Sequence, residues 1–326
     1  MKLGIIGGGA WGTALAQVAS AADRDTLLWA LEAEVVDGIN RRHENPTFLA
    51  GLTLNPSIRA TSSLEDLAAC DALLVVTPAQ HMRAVLETAG TWRKPLILCS
   101  KGVEEKSGQL LHQVAGEACP EAPVAVLSGP TFAHEVAKGL PTAVTLAAKD
   151  TTLAKELRDR IALPTFRVYV SDDVAGAEIG GAVKNVLAIA CGVVEGKGLG
   201  QNARAALVAR GFAEMTRFGV VFGARPETLA GLSGLGDLVL TCSSTSSRNY
   251  SLGKGIGEGQ PAAALLSDRK TVAEGAFTAP VLARLAREKG VDMPIVDAVD
   301  ALIAGRASVG EVLDALLARP PRAEGI

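Results

Sequence analysis

The sequence predicts an α/β chain: an N-terminal doubly wound parallel sheet followed by an all-α C-terminal domain. Three observations carry this. A glycine-rich turn follows the first apolar run, short apolar strands alternate with helical segments through the first half, and alanine-rich amphipathic segments replace the strands from about residue 178. With 326 residues there is room for two domains. They are expected at 1–180 and 181–326, with the composition shift near 175–185.

The first strand carries Leu3, Ile5 and Ile6, and Gly7, Gly9 and Gly12 then fit the G-x-G-x-x-G spacing ahead of an alanine-rich stretch at 13–17. In that strand–turn–helix order the first glycine allows a tight turn, the second lets the backbone approach a pyrophosphate, and the third lets the helix pack close on the strand. Free N–H groups at the helix start then face the anion. The expected site is a dinucleotide turn in a Rossmann domain; the alternative for the same residues is a glycine turn that binds nothing.

Further strands are expected at 26–30, 72–78, 95–100 and 124–128, with 143–148 and 166–170 extending the sheet. Polar or glycine residues follow each, on the rim where open α/β sheets bind ligands. Lys101, in Ser-Lys-Gly at 100–102, and the Ser-Gly-Pro-Thr-Phe-Ala segment at 128–133 stand on that rim. Glycine-rich connectors are expected at 231–236 and 253–259, and a frayed tail at 319–326.

Composition removes several function classes. A formal net charge of -3 offers no basic field for nucleic acid, and 4% aromatic content leaves few stacking platforms. Glycines and charges break the long apolar runs, so neither a signal peptide nor a membrane span is expected. Five dispersed cysteines without C-x-x-C spacing suggest reduced thiols and a cytoplasmic location, and the four histidines show no metal-ligand spacing.

Glu32 stands about 20 positions beyond the glycines, where an acidic residue accepts the ribose hydroxyls of NAD. No basic residue occurs in 30–34 to meet the extra phosphate of NADP, so NAD is favoured unless Glu32 is merely a solvated helix start. Lys184 lies in an apolar, small-residue helical stretch at 178–188. Such a lysine either meets an anion in a cleft, where it could protonate a developing alkoxide, or snorkels to the surface. Asp237, after the glycines at 234 and 236, is either a helix cap or a carboxylate that orients a lysine. The hydroxyl-rich segment 243–250 surrounds Arg248 and Asn249 with donors suited to a phosphate, or is a polar loop.

Together these segments closely resemble the bacterial NAD(P)-dependent glycerol-3-phosphate dehydrogenases. The agreeing motifs are Gly-Gly-Gly-Ala-Trp-Gly-Thr-Ala at 7–14, the two rim segments, Gly-Gly-Ala-Val-Lys-Asn-Val at 180–186, Gly-Leu-Gly-Asp-Leu-Val-Leu-Thr-Cys at 234–242, Ser-Arg-Asn at 247–249 and Val-Ala-Glu-Gly at 272–275. The resemblance implies a Rossmann domain followed by a helical substrate domain, and interconversion of dihydroxyacetone phosphate and sn-glycerol 3-phosphate. It implies Lys184 as general acid/base, with Lys101 and Asp237 beside it in the catalytic set. Gly129, Thr131, Asn185 and Thr241 would hold the substrate, and Ser247, Arg248 and Asn249 its phosphate end. Gly7, Gly9, Ala10, Trp11 and Gly12 would meet the cofactor, as would Leu31, Glu32, His81 and Lys101, and then Ala133, Arg248, Val272 and Glu274. A homodimer and a supply of phospholipid backbones are implied in the same way. One departure stands out: many relatives carry arginine or histidine near positions 30 and 31, where this chain has Ala30 and Leu31. NAD, or use of both cofactors, is the expectation. A related dehydrogenase for another hydroxy compound, and a dinucleotide sensor without turnover, are the competing functions; the Lys184, Asn185 and Asp237 set weighs against the sensor.

Overall fold

Lys2–Ile6 forms β1, buried at four of its five positions as a strand covered on both faces must be. It is the third strand across an eight-stranded sheet with β2 (Asp25–Trp29), β3 (Arg59–Thr61), β4 (Ala72–Val75), β5 (Leu96–Leu98), β6 (Val124–Ser128), β7 (Thr142–Ala147) and β8 (Phe166–Ser171). The order is β3-β2-β1-β4-β5-β6-β7-β8. The structure, a computed structural model, describes residues 2–88, 90, 92–267 and 273–320. The first six strands of that order are parallel, and the order reverses at β1 and β4, where a ligand crevice forms in such sheets.

Two details differ from the sequence expectation. β3 has only three residues, too few to show alternation, and it is absent from the predicted strands. β7 runs antiparallel to β6 and β8 parallel to β7, so the sheet is mixed rather than wholly parallel. The connection into β7 carries only the five-residue helix Ala133–Ala137, shorter than the crossover helix a parallel return normally uses.

Helices α1 (Ala10–Ala21), α2 (Ala33–Asp37), α3 (Met82–Thr88), α4 (Leu111–Ala118), α5 (Ala133–Ala137) and α6 (Thr151–Ile161) accompany the strands. The rest of the described chain is helical: α7 (Val174–Gly196), α8 (Gly200–Val221), α9 (Pro226–Leu229), α10 (Asp237–Thr241), α11 (Arg248–Gly257), α12 (Ala262–Leu266), α13 (Glu274–Glu288), α14 (Pro294–Ile303) and α15 (Val309–Leu317).

The chain divides into two compact units, Met1–Ser100 with Leu111–Val174, and Lys101–Leu110 with Ala175–Ile326. The division therefore falls at the start of α7 rather than at 180/181. It also gives 101–110 to the helical unit, because Val103 and Leu110 are buried in that unit's core. The core of the sheet unit gathers Leu3, Ile5, Leu15, Leu28, Leu74 and Ile97. The helical unit is built around α7, whose Ile179, Val183, Val186 and Ile189 are fully buried. This helix is long and apolar enough to cross a membrane by length and composition alone, but its apolar stretch lies wholly inside the protein, as a core helix does.

Glycines set how closely α7 is approached. A Cβ on Gly253 would lie 1.9 Å from the Ile189 carbonyl oxygen, and one on Gly192 would lie 2.1 Å from that of Tyr250. The two backbones thus touch, which only glycine permits. Residues 253–257, expected as part of a connector, are the end of α11, while 232–236 forms a π-turn leading into α10.

Candidate active site

The helical unit brings Lys101, Lys184, Asp237 and Thr241 together. Gly180 and Lys184 lie four residues apart on one face of α7. A Cβ at Gly180 would meet the Ser233 carbonyl oxygen at 2.2 Å, so the 232–236 turn rests on the helix backbone and delivers Asp237 to the lysine one turn along. Lys184 Nζ donates to Asp237 Oδ1 at 2.7 Å and to Thr241 Oγ1 at 2.9 Å. Lys101 Nζ donates to the other carboxylate oxygen, Oδ2, at 2.6 Å. The Thr241 hydroxyl donates to the Asp237 carbonyl at 2.6 Å, which leaves its lone pair to receive the lysine.

Asp237 is 0% exposed and Lys184 only 6%. Burial pushes the Lys184 ammonium down to about 8, Asp237 opposes this, and the neighbouring Lys101 charge lowers it further. Two cations share one carboxylate, so these three side chains together carry a net positive charge. Among the described residues, two of the three Lys184 ammonium hydrogens have acceptors, which leaves the third for a ligand.

The next residue begins a second network. Gly275 N donates to Asn249 Oδ1 at 2.9 Å, and Asn249 Nδ2 donates to Asn185 Oδ1 at 3.0 Å. A backbone N–H can only donate, so this chain fixes both carboxamide orientations and leaves Asn185 Nδ2 as a donor. Ser247 caps α11 by accepting from Tyr250 N at 3.3 Å, and Arg248 is exposed in the first turn of that helix. Glu274 opens α13, while Val272 lies outside the described residues.

The other predicted residues lie in the sheet unit. Gly7 has φ +127, and a Cβ on Gly12 would lie 1.9 Å from the Gly7 carbonyl oxygen, so the fold itself requires both glycines. Gly9 is different: it is the N-cap of α1 with an extended backbone, and a Cβ there would meet nothing within 4 Å. Space beside a helix N-terminus that no protein atom fills suits a pyrophosphate. Ala10 and Trp11 form the first turn of α1, and Trp11 Nε1 is buried with no hydrogen-bond partner among the described residues. These residues fit a dinucleotide.

Leu31 is 77% exposed and Glu32, the exposed N-cap of α2, uses no side-chain capping bond. His81 ends a short 3-10 turn beyond β4 and is exposed. Gly129 has φ +157 and presses on Val144, so the fold alone accounts for its identity. The Thr131 hydroxyl donates to the Gly129 carbonyl at 3.3 Å, and Ala133 opens α5.

One further polar group carries no local sequence signal: Asn45, 0% exposed, whose Nδ2 donates to the Gly8 carbonyl and to Thr13 Oγ1, each at 2.8 Å.

Comparison with known proteins agrees over the whole length. Residues 2–154 match the family model for the NAD-dependent glycerol-3-phosphate dehydrogenase N-terminus, and residues 173–314 match its C-terminus. A glycerol-3-phosphate dehydrogenase [NAD(P)+] of Erythrobacter litoralis is 64% identical over 323 residues, covering 99% of this chain and 98% of the relative. Among solved structures, glycerol-3-phosphate dehydrogenase of Coxiella burnetii superposes with a TM-score of 0.93 at 36% identity, covering 98% of this chain and 99% of that one. The yeast Saccharomyces cerevisiae enzyme gives 0.82 at 29% identity, covering 96% of this chain and 98% of its own.

Proposed function

This chain belongs to the NAD(P)-dependent glycerol-3-phosphate dehydrogenases, and we propose that Lys184 is the general acid/base of that reaction. The substrate pair is dihydroxyacetone phosphate and sn-glycerol 3-phosphate. The observation that supports the assignment is the buried ammonium, held by two partners among the described residues with one hydrogen left over.

A reduced nicotinamide, when bound, supplies the hydride for the substrate's carbonyl carbon. As negative charge grows on the substrate oxygen, Lys184 neutralises it and passes it a proton. A group titrating at about 8 is largely protonated at neutral pH yet not reluctant to give up its proton. Asp237 keeps the ammonium in position, and its second oxygen holds Lys101, which adds a positive charge toward substrate and cofactor. Asn185 offers Nδ2 to a substrate hydroxyl. The N-terminus of α11, with Ser247, Arg248 and Asn249, grips the phosphate, and that remote binding energy orients the carbonyl. Gly129 and Thr131 contribute to the same substrate.

The glycine turn holds the pyrophosphate, and Glu32 accepts the ribose hydroxyls, so NAD is preferred or both cofactors are used. Leu31, His81, Ala133, Val272 and Glu274 complete the cofactor surroundings in this assignment. The enzyme works as a cytoplasmic homodimer that supplies glycerol phosphate for lipid backbones and binds no nucleic acid. Lys184→Ala tests the central role: turnover of dihydroxyacetone phosphate is lost while fluorescence titration shows NADH still bound. Near wild-type turnover sinks it. Catalytic efficiency with NADH and NADPH, measured side by side, decides the cofactor; a strong NADPH preference refutes the Glu32 assignment.

A further inference from the structure

We infer that Asn45 is a positioning residue for the dinucleotide turn: it clamps the Gly8 carbonyl inward and thereby aims the Gly9 N–H at the cofactor. The inference rests on the proposal that this turn binds NAD(P).

The Gly8 carbonyl lies past the end of the β1–β2 pairing, which stops at Ile6 and Trp29 apart from a bond from Gly7 N to the Trp29 carbonyl. It also precedes the helix, whose capping bond runs from Thr13 N to the Gly9 carbonyl. Among the described residues no backbone N–H reaches it. Asn45 Nδ2 at 2.8 Å is its main donor, with the Thr13 hydroxyl at 3.4 Å. A planar trans peptide points its C=O and N–H in opposite directions. Drawing Gly8 O toward a fully buried side chain therefore turns the Gly9 N–H away from the core. That N–H belongs to the first turn of α1, where backbone donors lack intrahelical partners. A Cβ on Gly9 would meet nothing within 4 Å, so open space adjoins it.

Asn45 is itself held. Its Oδ1 accepts from Phe48 N at 3.1 Å, and its second amide hydrogen goes to Thr13 Oγ1 at 2.8 Å. The same loop is tied to α1 by Asn55 N, which donates to Gln17 Oε1 at 2.9 Å. Every hydrogen of the carboxamide is used, which no other side chain of this size reproduces: Asp places an acceptor against the Gly8 carbonyl, and Leu offers no donor.

The test uses the whole enzyme and reads binding directly, by quenching of protein fluorescence on titration with NADH and with NADPH. Asn45→Ala is expected to raise the dinucleotide Kd at least about tenfold, the loss of one well-placed hydrogen bond, while kcat at saturating dinucleotide and KM for dihydroxyacetone phosphate stay within about threefold. Isosteric Asn45→Asp covers the case in which the alanine variant does not fold. Its carboxyl donates to Gly8 when protonated and repels it when ionised, so its Kd worsens as pH rises while the wild-type Kd does not. Thr13→Val removes only the longer contact to Gly8 and one of the two groups that anchor Asn45, so it is expected to raise the dinucleotide Kd clearly less than Asn45→Ala does. A wild-type Kd in Asn45→Ala overturns the inference, as does a Thr13→Val variant that loses as much affinity. If the wild type bound neither dinucleotide, the assignment of the turn would be wrong instead.

Discussion

Asp237→Asn removes the one anion between two ammonium groups. Asp237 is 0% exposed, with Lys184 Nζ at 2.7 Å and Lys101 Nζ at 2.6 Å. At an effective dielectric of about 20, unit charges roughly 3 Å apart interact by about 5 kcal/mol. If relaxation and the retained amide oxygen return about half of that, the Lys184 ammonium loses about 2 pKa units at about 1.4 kcal/mol each. It then moves from about 8 to roughly 6, and its protonated fraction at neutral pH falls from about nine-tenths to about one-tenth. Reduction of dihydroxyacetone phosphate at neutral pH should slow at least about tenfold from proton supply alone, and more if the amine swings away. The assay is the initial rate of NADH consumption across a pH series with both substrates saturating, after circular dichroism has confirmed folding. Breaking a buried pair can cost about 3–5 kcal/mol of stability, which makes that check necessary. A variant that keeps the wild-type rate and the wild-type break in its pH profile would refute the reasoning.

In the wild type, reduction needs the ammonium and oxidation needs the free amine. As pH rises through about 8, kcat for reduction should fall and kcat for oxidation should rise; profiles that move in the same direction in both assays contradict Lys184 as the proton carrier. Glu214, 1% exposed, accepts from Ile295 N at 2.8 Å and Val296 N at 3.2 Å, and burial raises its carboxyl to about 7 against those bonds. Its folded value exceeds its unfolded one, so its contribution is complete below about 4.5 and is lost as pH rises through about 7, a change of about 3 kcal/mol. Urea unfolding at about pH 5 and about pH 8 should show that loss, and Glu214→Gln should flatten it; an unchanged slope in the variant assigns the effect elsewhere. Gly9→Ala should keep Tm but weaken NADH binding, because its Cβ meets no protein atom, whereas Gly253→Ala should unfold the helical unit by driving a methyl onto the Ile189 carbonyl. A lowered Tm for Gly9→Ala would contradict the first assignment, and a wild-type Tm for Gly253→Ala the second.

The glycine turn was legible because its parts are local: an apolar strand, three spaced glycines and a helix within a dozen residues. The family was legible too, through motifs such as Ser-Gly-Pro-Thr-Phe-Ala, and the comparisons bear it out. What local pattern could not show depends on distant backbone. Lys184 and Asp237 are 53 residues apart, and their meeting depends on Gly180 receiving the Ser233 carbonyl. Gly253 and Gly257 read as a loop because glycine disfavours a helix interior, and the contact that compensates is made with α7. Asn45, placed before a proline, looks like any turn residue until the Gly8 carbonyl is found beside it. β3 was lost for a simpler reason, since three residues carry no period.

The short excursion of 101–110 into the helical unit bears on how such an enzyme can be re-engineered. A nucleotide-binding piece ending at Val174 would carry Val103 and Leu110 out of the core in which they are buried. A helical piece beginning at Ala175 would lack Lys101, and Asp237 would keep only one of its two cations. The halves are therefore not interchangeable cassettes. Chimeras joined at the α7 boundary should fail unless they transplant the ten-residue insert as well, and a new substrate preference is better sought by substitutions made in place.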